Sequence, residues 1–101
     1  MYVGDVMGAV GIEVVEKVLP VLKRIENIDL VIAQAENVSE CKGITLADFK
    51  RLQKAGVDFF SGGNHTFDRP EIFPALNDPN QPIIRPANYP PGSPGRGSGI
   101  V

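Results

Sequence analysis

The 101-residue sequence has one cysteine, one histidine and no tryptophan. The lone Cys41 excludes a disulfide framework and suits a reducing, cytoplasmic setting. The lone His65 leaves no route to a histidine-rich zinc site, and no cysteine cluster can take its place. Positive charge is not in excess. Ten Lys and Arg stand against twelve Asp and Glu, a net charge of −2, so a basic face for a large nucleic acid is not expected. No apolar run approaches the ~20 residues that cross a bilayer, so no membrane partner is expected. Met1-Tyr2-Val3-Gly4-Asp5 has no basic region leading into an apolar stretch, the mark of a secretory leader. What is present is 43% hydrophobic and 22% charged, the balance of a folded globular chain and enough for one modest core. Residues 1–101 are therefore read as a single unit.

Short apolar runs alternate with longer amphipathic ones. Tyr2-Val3-Gly4-Asp5-Val6 reads as the end of a buried strand. Val10, Val14, Val15, Val18, Leu22 and Ile25 follow at helical spacing, with Pro20 expected to kink or divide the helix. Asp29-Leu30-Val31-Ile32-Ala33 is a continuous apolar run, as in a parallel strand covered on both faces. Thr45-Leu46-Ala47-Asp48 resembles a capping box. It opens a helix whose apolar face is Leu46, Phe49 and Leu52 and whose stop is Gly56. Val57-Asp58-Phe59-Phe60 is a third strand, ended by Ser61-Gly62-Gly63. Strand, helix, strand, helix, strand predicts an α/β fold with right-handed crossovers and a mostly parallel sheet. A short helix is expected over Pro70–Leu76 and an edge strand between Pro82 and Pro86. Asn88–Gly99 is a Pro/Gly-rich loop that reads as a connection to a further part of a fold.

Three polar clusters, Asp5, Glu36-Asn37 and Asn64-His65, each follow a predicted strand. They are spaced by about 30 residues, the length of one strand-helix-strand unit. In a parallel sheet they emerge at one edge, where open α/β sheets bind ligands. Two carboxylates and two carboxamides there suit a hard divalent cation, which also offsets the repulsion between Asp5 and Glu36. His65, between Gly63-Asn64 and Thr66, is placed to donate a proton to a leaving oxygen or to stabilise developing negative charge.

Gly4-Asp5-Val6, Ala35-Glu36-Asn37 and Gly62-Gly63-Asn64-His65-Thr66-Phe67-Asp68 resemble the first three blocks of the calcineurin-like metallophosphoesterases. Lys42-Gly43-Ile44-Thr45 and Arg85-Pro86-Ala87-Asn88-Tyr89-Pro90, ahead of Pro94-Gly95-Arg96-Gly97, point to the YmdB-like branch. The resemblance implies a layered fold of which this chain is the N-terminal β-α-β-α-β half. It implies hydrolysis of phosphodiesters such as 2',3'-cyclic nucleotides by a hydroxide bridging two divalent ions, manganese, iron or magnesium. Asp5 would bind one metal, Glu36 would bridge both, Asn64 would bind the second, and Asn37 would lie beside the pair. His65 would be the proton donor. The family's site also uses three later histidines, so partial or weak metal occupancy is expected of residues 1–101 alone.

The rival reading is a non-catalytic module that binds a nucleotide or a partner chain. An unfinished sheet has an open edge and an uncovered apolar face, so a homo-oligomer, or a second chain completing the fold, is expected in either case. Gly92–Gly97 reads as a flexible connection rather than a phosphate cradle, and Cys41 as a small loop residue rather than a nucleophile.

Overall fold

The computed structural model describes all of residues 1–101 as one four-stranded parallel sheet in the order β1-β2-β3-β4. The strands are β1 (Tyr2–Val3), β2 (Ile32–Gln34), β3 (Phe59–Ser61) and β4 (Ile83–Ile84). Between them run α1 (Gly8–Ile25) and α2 (Leu46–Ala55), then a 3₁₀ turn (Pro70–Ile72) leading into α3 (Phe73–Asn77).

Sequential strand order with crossovers of one hand places every helix on the same side of the sheet. The burial pattern follows. Val31, Ala33, Ala35, Phe60 and Ile83 face the helices and are buried with Ile12, Leu19, Phe49, Leu52, Ile72 and Leu76. Phe49 packs on Phe60 with ring centroids 4.7 Å apart. The intervening residues point the other way, and there Tyr2 is exposed and Ile32, Gln34 and Ser61 are half-buried. On that face only Phe59 is buried, because Gly99 lies so close that a Cβ there would fall 3.1 Å from the ring. The expectation that β2 is covered on both faces is thus corrected: one face is.

Local signals account for α2. Thr45 Oγ1 accepts from Asp48 N–H at 3.2 Å, and Gly56 stops the helix in the left-handed region at φ 113°. Such a cap is worth about 1 kcal/mol. Ser39 completes the turn, accepting from Thr45 N–H at 2.8 Å and donating to Asp48 at 2.7 Å.

Helix α1 departs from expectation twice. It runs unbroken through Pro20. Its buried residues are Gly8, Ile12, Val15 and Leu19, whereas Val10, Val14, Val18 and Ile25 are exposed. The helix carries two adjacent apolar stripes, and the core takes the one centred on Ile12, Val15 and Leu19. Strand β1 is also shorter than its apolar run, and Tyr2 is exposed rather than buried. The chain leaves the sheet at Gly4, and Asp5 turns it with φ 41°.

Candidate metal centre

All four strands point the same way, so their carboxyl ends form one rim. Asp5 follows β1 and adopts a left-handed backbone, which costs an ordinary L-residue roughly 1–2 kcal/mol and aspartate less. Its Oδ1 accepts from Asn37 Nδ2 at 2.7 Å, across 32 positions of sequence. The backbone repeats the link, since Gly8 N–H donates to Asn37 O at 3.1 Å. The β1 and β2 loops are therefore fastened to each other at the carboxylate itself.

Glu36 is fastened to the third loop. Its Oε2 accepts from His65 N–H at 3.1 Å and its Oε1 from Gln34 Nε2 at 2.7 Å. Gly63 is what permits this approach: a Cβ there would collide with the Glu36 carboxylate. Gly63 is in turn gripped. Its N–H donates to Thr66 Oγ1 at 2.8 Å, and its carbonyl accepts from Thr66 Oγ1 at 2.6 Å and from Tyr89 Oη at 2.7 Å. The Tyr89 ring rests on Phe67 with centroids 5.1 Å apart. The His65 ring pairs through Nδ1 with Asp68 Oδ2 at 2.8 Å, which leaves Nε2 unused. Asn64, between Gly63 and His65, is exposed.

Asp5, Glu36, Asn37 and the Asn64-His65 turn thus share one open rim. No three histidine, cysteine, aspartate or glutamate side chains are already gathered there or elsewhere into a metal cage. Oxygen donors make up the set, with two carboxamides beside two carboxylates. Each Glu36 oxygen accepts one hydrogen bond and Asp5 Oδ2 accepts none, so lone pairs remain for a hard cation. On that chemistry the residues fit a divalent metal.

Four contributors are given no role by the sequence alone: Gln34, and Thr66, Asp68 and Tyr89, which stand in the blocks that carry the family resemblance. Asp68 carries a local signal, a carboxylate three residues after the only histidine. Gln34 lies on the same strand face as Glu36, two residues away. Tyr89 comes from beyond β4, and nothing in its block points to Gly63 as its partner.

The family model for YmdB-like proteins matches residues 1–101. The chain belongs to the YmdB-like family. A relative from Bacillus subtilis strain 168, named 2',3'-cyclic-nucleotide 2'-phosphodiesterase, is 39% identical over 98 residues, covering 96% of this chain and 36% of the relative. Among solved structures, a hypothetical protein from Thermus thermophilus superposes with a TM-score of 0.88 at 42% identity, over 95% of this chain and 36% of that one. A phosphatase from Mycoplasma pneumoniae gives 0.85 at 33% identity, over 95% and 35%. This YmdB-like chain therefore spans about a third of the length of the relatives it matches. It shares the α/β layering of that phosphatase over nearly all of its own length.

Proposed function

We propose that the rim belongs to a metal-dependent phosphodiesterase site that acts on small phosphodiesters of the 2',3'-cyclic nucleotide class. The observation that carries this reading is the cross-loop lacing of Asp5 to Asn37 and of Glu36 to the His65 turn, in a chain whose Bacillus subtilis relative bears that activity in its name. The rest of the site, and the layers that complete the fold, lie outside this third of a family-length protein.

Asp5 and Glu36 supply the charge that would hold the cations, with Asn37 and Asn64 as neutral oxygen donors. Two such ions, when bound, act as Lewis acids on the phosphoryl oxygens and make a bound water acidic enough to attack at neutral pH. The chain's own part is positional. Gly63 lets Glu36 sit flush against the turn, and Thr66 and Tyr89 hold the Gly63 peptide. Asp68 accepts from Nδ1 of His65 and so fixes which ring nitrogen is occupied. Nε2 is then the atom that holds or hands over a proton at the leaving oxygen.

The test is hydrolysis of a 2',3'-cyclic nucleotide with added manganese, alongside calorimetric titration of Mn²⁺ into the chain. Asp5→Ala is expected to weaken metal binding at least tenfold and remove activity. His65→Ala should lower activity by about 10²–10⁴, as expected for loss of an acid catalyst, and leave metal affinity within a few-fold. Hydrolysis unchanged in both variants would sink the proposal.

A further inference from the structure

The loop after β2 opens at Glu36 and bends sharply further on. Glu40, Cys41 and Gly43 are all left-handed, with φ 51°, 65° and 72°. Glycine takes that region freely. Glu40 and Cys41 do not, and two such residues in succession persist only where their surroundings over-determine them.

One side chain from another loop supplies that constraint. Arg69 follows the His65–Asp68 turn. Its Nε donates to Lys42 O at 3.0 Å and its Nη2 to Ser39 O at 3.2 Å. Those two carbonyls stand just before and just after the left-handed pair, so a single guanidinium closes both ends of the arch. The donors of a guanidinium lie in one rigid plane, which fixes the separation of the two carbonyls as well as binding them. Nη2 also donates to Glu40 Oε2 at 2.8 Å, but the Glu40 side chain is 85% exposed and that ion pair adds little.

The two loops meet through their backbones as well. A Cβ at Gly43 would fall 2.8 Å from Arg69 Cγ and 3.2 Å from both Arg69 N and His65 O. Gly43 N–H donates to Glu36 O, and Ser39 N–H donates to Gly43 O at 2.9 Å. The arch is thereby tied back to the residue that opens the loop. At the rim, Glu36 Oε2 accepts from His65 N–H at 3.1 Å, across 29 positions of sequence. Thr66 and Tyr89 hold the Gly63 side of that contact. Arg69 is the side chain that holds the Glu36 side.

We propose that Arg69 is a positioning residue: it clamps the arch of the β2 loop and so sets the Glu36 carboxylate against the His65 turn. The clamp itself is independent of metal. Its bearing on a cation and on the acid rests on the hydrolytic reading.

The experiment is amide NMR of the metal-free 101-residue chain, with calorimetric titration of Mn²⁺. In Arg69→Ala the His65 amide should shift toward the position of an unbonded amide and exchange faster, with an unchanged far-ultraviolet circular dichroism spectrum. The Mn²⁺ dissociation constant should rise about tenfold. Arg69→Lys keeps the charge but not the planar fork, and should behave as Arg69→Ala does. It carries the same test should Arg69→Ala fail to fold. Glu40→Gln breaks only the exposed ion pair and should match the native chain. Cys41→Gly relaxes one left-handed residue, so added to Arg69→Ala it should bring the His65 amide back toward its native position. A His65 amide unmoved in both Arg69 variants would overturn the proposal. So would full rescue by Arg69→Lys, a Glu40→Gln as impaired as Arg69→Ala, or a loss from which Cys41→Gly recovers nothing. Should the native chain take up no Mn²⁺, the hydrolytic reading falls, and the His65 amide alone decides the clamp.

Discussion

The two flanks of the sheet are finished differently. On the β4 flank the chain turns back over itself. Arg85 N–H donates to Arg96 O at 2.9 Å, and the Arg96 guanidinium donates to Pro79 O at 2.8 Å and Gln81 O at 3.0 Å. Ile72, Ala75 and Leu76 are buried beneath, and Tyr89 reaches from this flank into the rim. On the β1 flank nothing covers the strand, and α1 is tied across the fold by ion pairs: Lys23 to Asp58 at 2.9 Å and Glu16 to Arg51 at 2.9 Å. One flank is held by neutral carbonyls and packed side chains, the other by titratable carboxylates and an apolar surface without a partner. Both end at the same rim, so the site's geometry depends on two different kinds of support.

The largest expected effect is on the packed flank. Ile72→Ala empties a fully buried position and should cost about 2–5 kcal/mol in urea unfolding. Val10→Ala on the bare flank, at 74% exposure, should change stability by no more than about 0.5 kcal/mol. Equal losses would abolish the contrast. Next comes Arg96→Ala, which removes hydrogen bonds to one exposed and one half-buried carbonyl and should cost roughly 0.5–1.5 kcal/mol. Hydrogen exchange at Ile83 and Arg85 should speed up while that at α1 stays constant.

The smallest effect sharpens the difference in chemistry. Burial pushes the Asp58 carboxyl up, but the hydrogen bonds from Lys23 and from Val31 N–H outweigh it and hold it below the usual carboxylate range. The Arg51 guanidinium, chiefly by its hydrogen bond, does the same to Glu16. A carboxyl lowered on folding adds stability above its unfolded value near about 4, and that stability is lost as pH falls through the folded value. Acid should therefore loosen α1 while the Arg96 clamp, made to carbonyls, persists. Asp58→Asn should lower stability at neutral pH by about 0.5–1 kcal/mol, given its partial exposure. The difference from the native chain should vanish toward about pH 2. A gap independent of pH would show that the ion pair is not the tether.

Much of this was legible in the residues. Thr45 and Gly56 bracket α2 because caps are local chemistry, and the parallel strand order follows from the lengths between apolar runs. The meeting of Asp5, Glu36-Asn37 and Asn64-His65 at one rim follows from that order, since a parallel sheet leaves little choice. Helix α1 was harder. Two valine-rich stripes lie side by side, and periodicity alone does not say which one the sheet takes. The outer stripe, from Val10 to Ile25, has the more conspicuous spacing. Tyr89 was illegible for another reason: its partner, the Gly63 carbonyl, lies across β4, and no local pattern announces a contact between two loops.

Asp5 has one more consequence. Its backbone angle suits glycine or asparagine better than an acid, so Asp5→Gly relaxes the loop and Asp5→Asn is tolerated there. Asp5→Asn keeps an oxygen for Asn37 Nδ2, Asp5→Gly gives that bond up, and both remove the negative charge that a cation would seek. The ease of the turn and the pull on an ion therefore oppose each other at a single atom centre, and the thermal robustness of a variant says nothing about whether its chemistry survives.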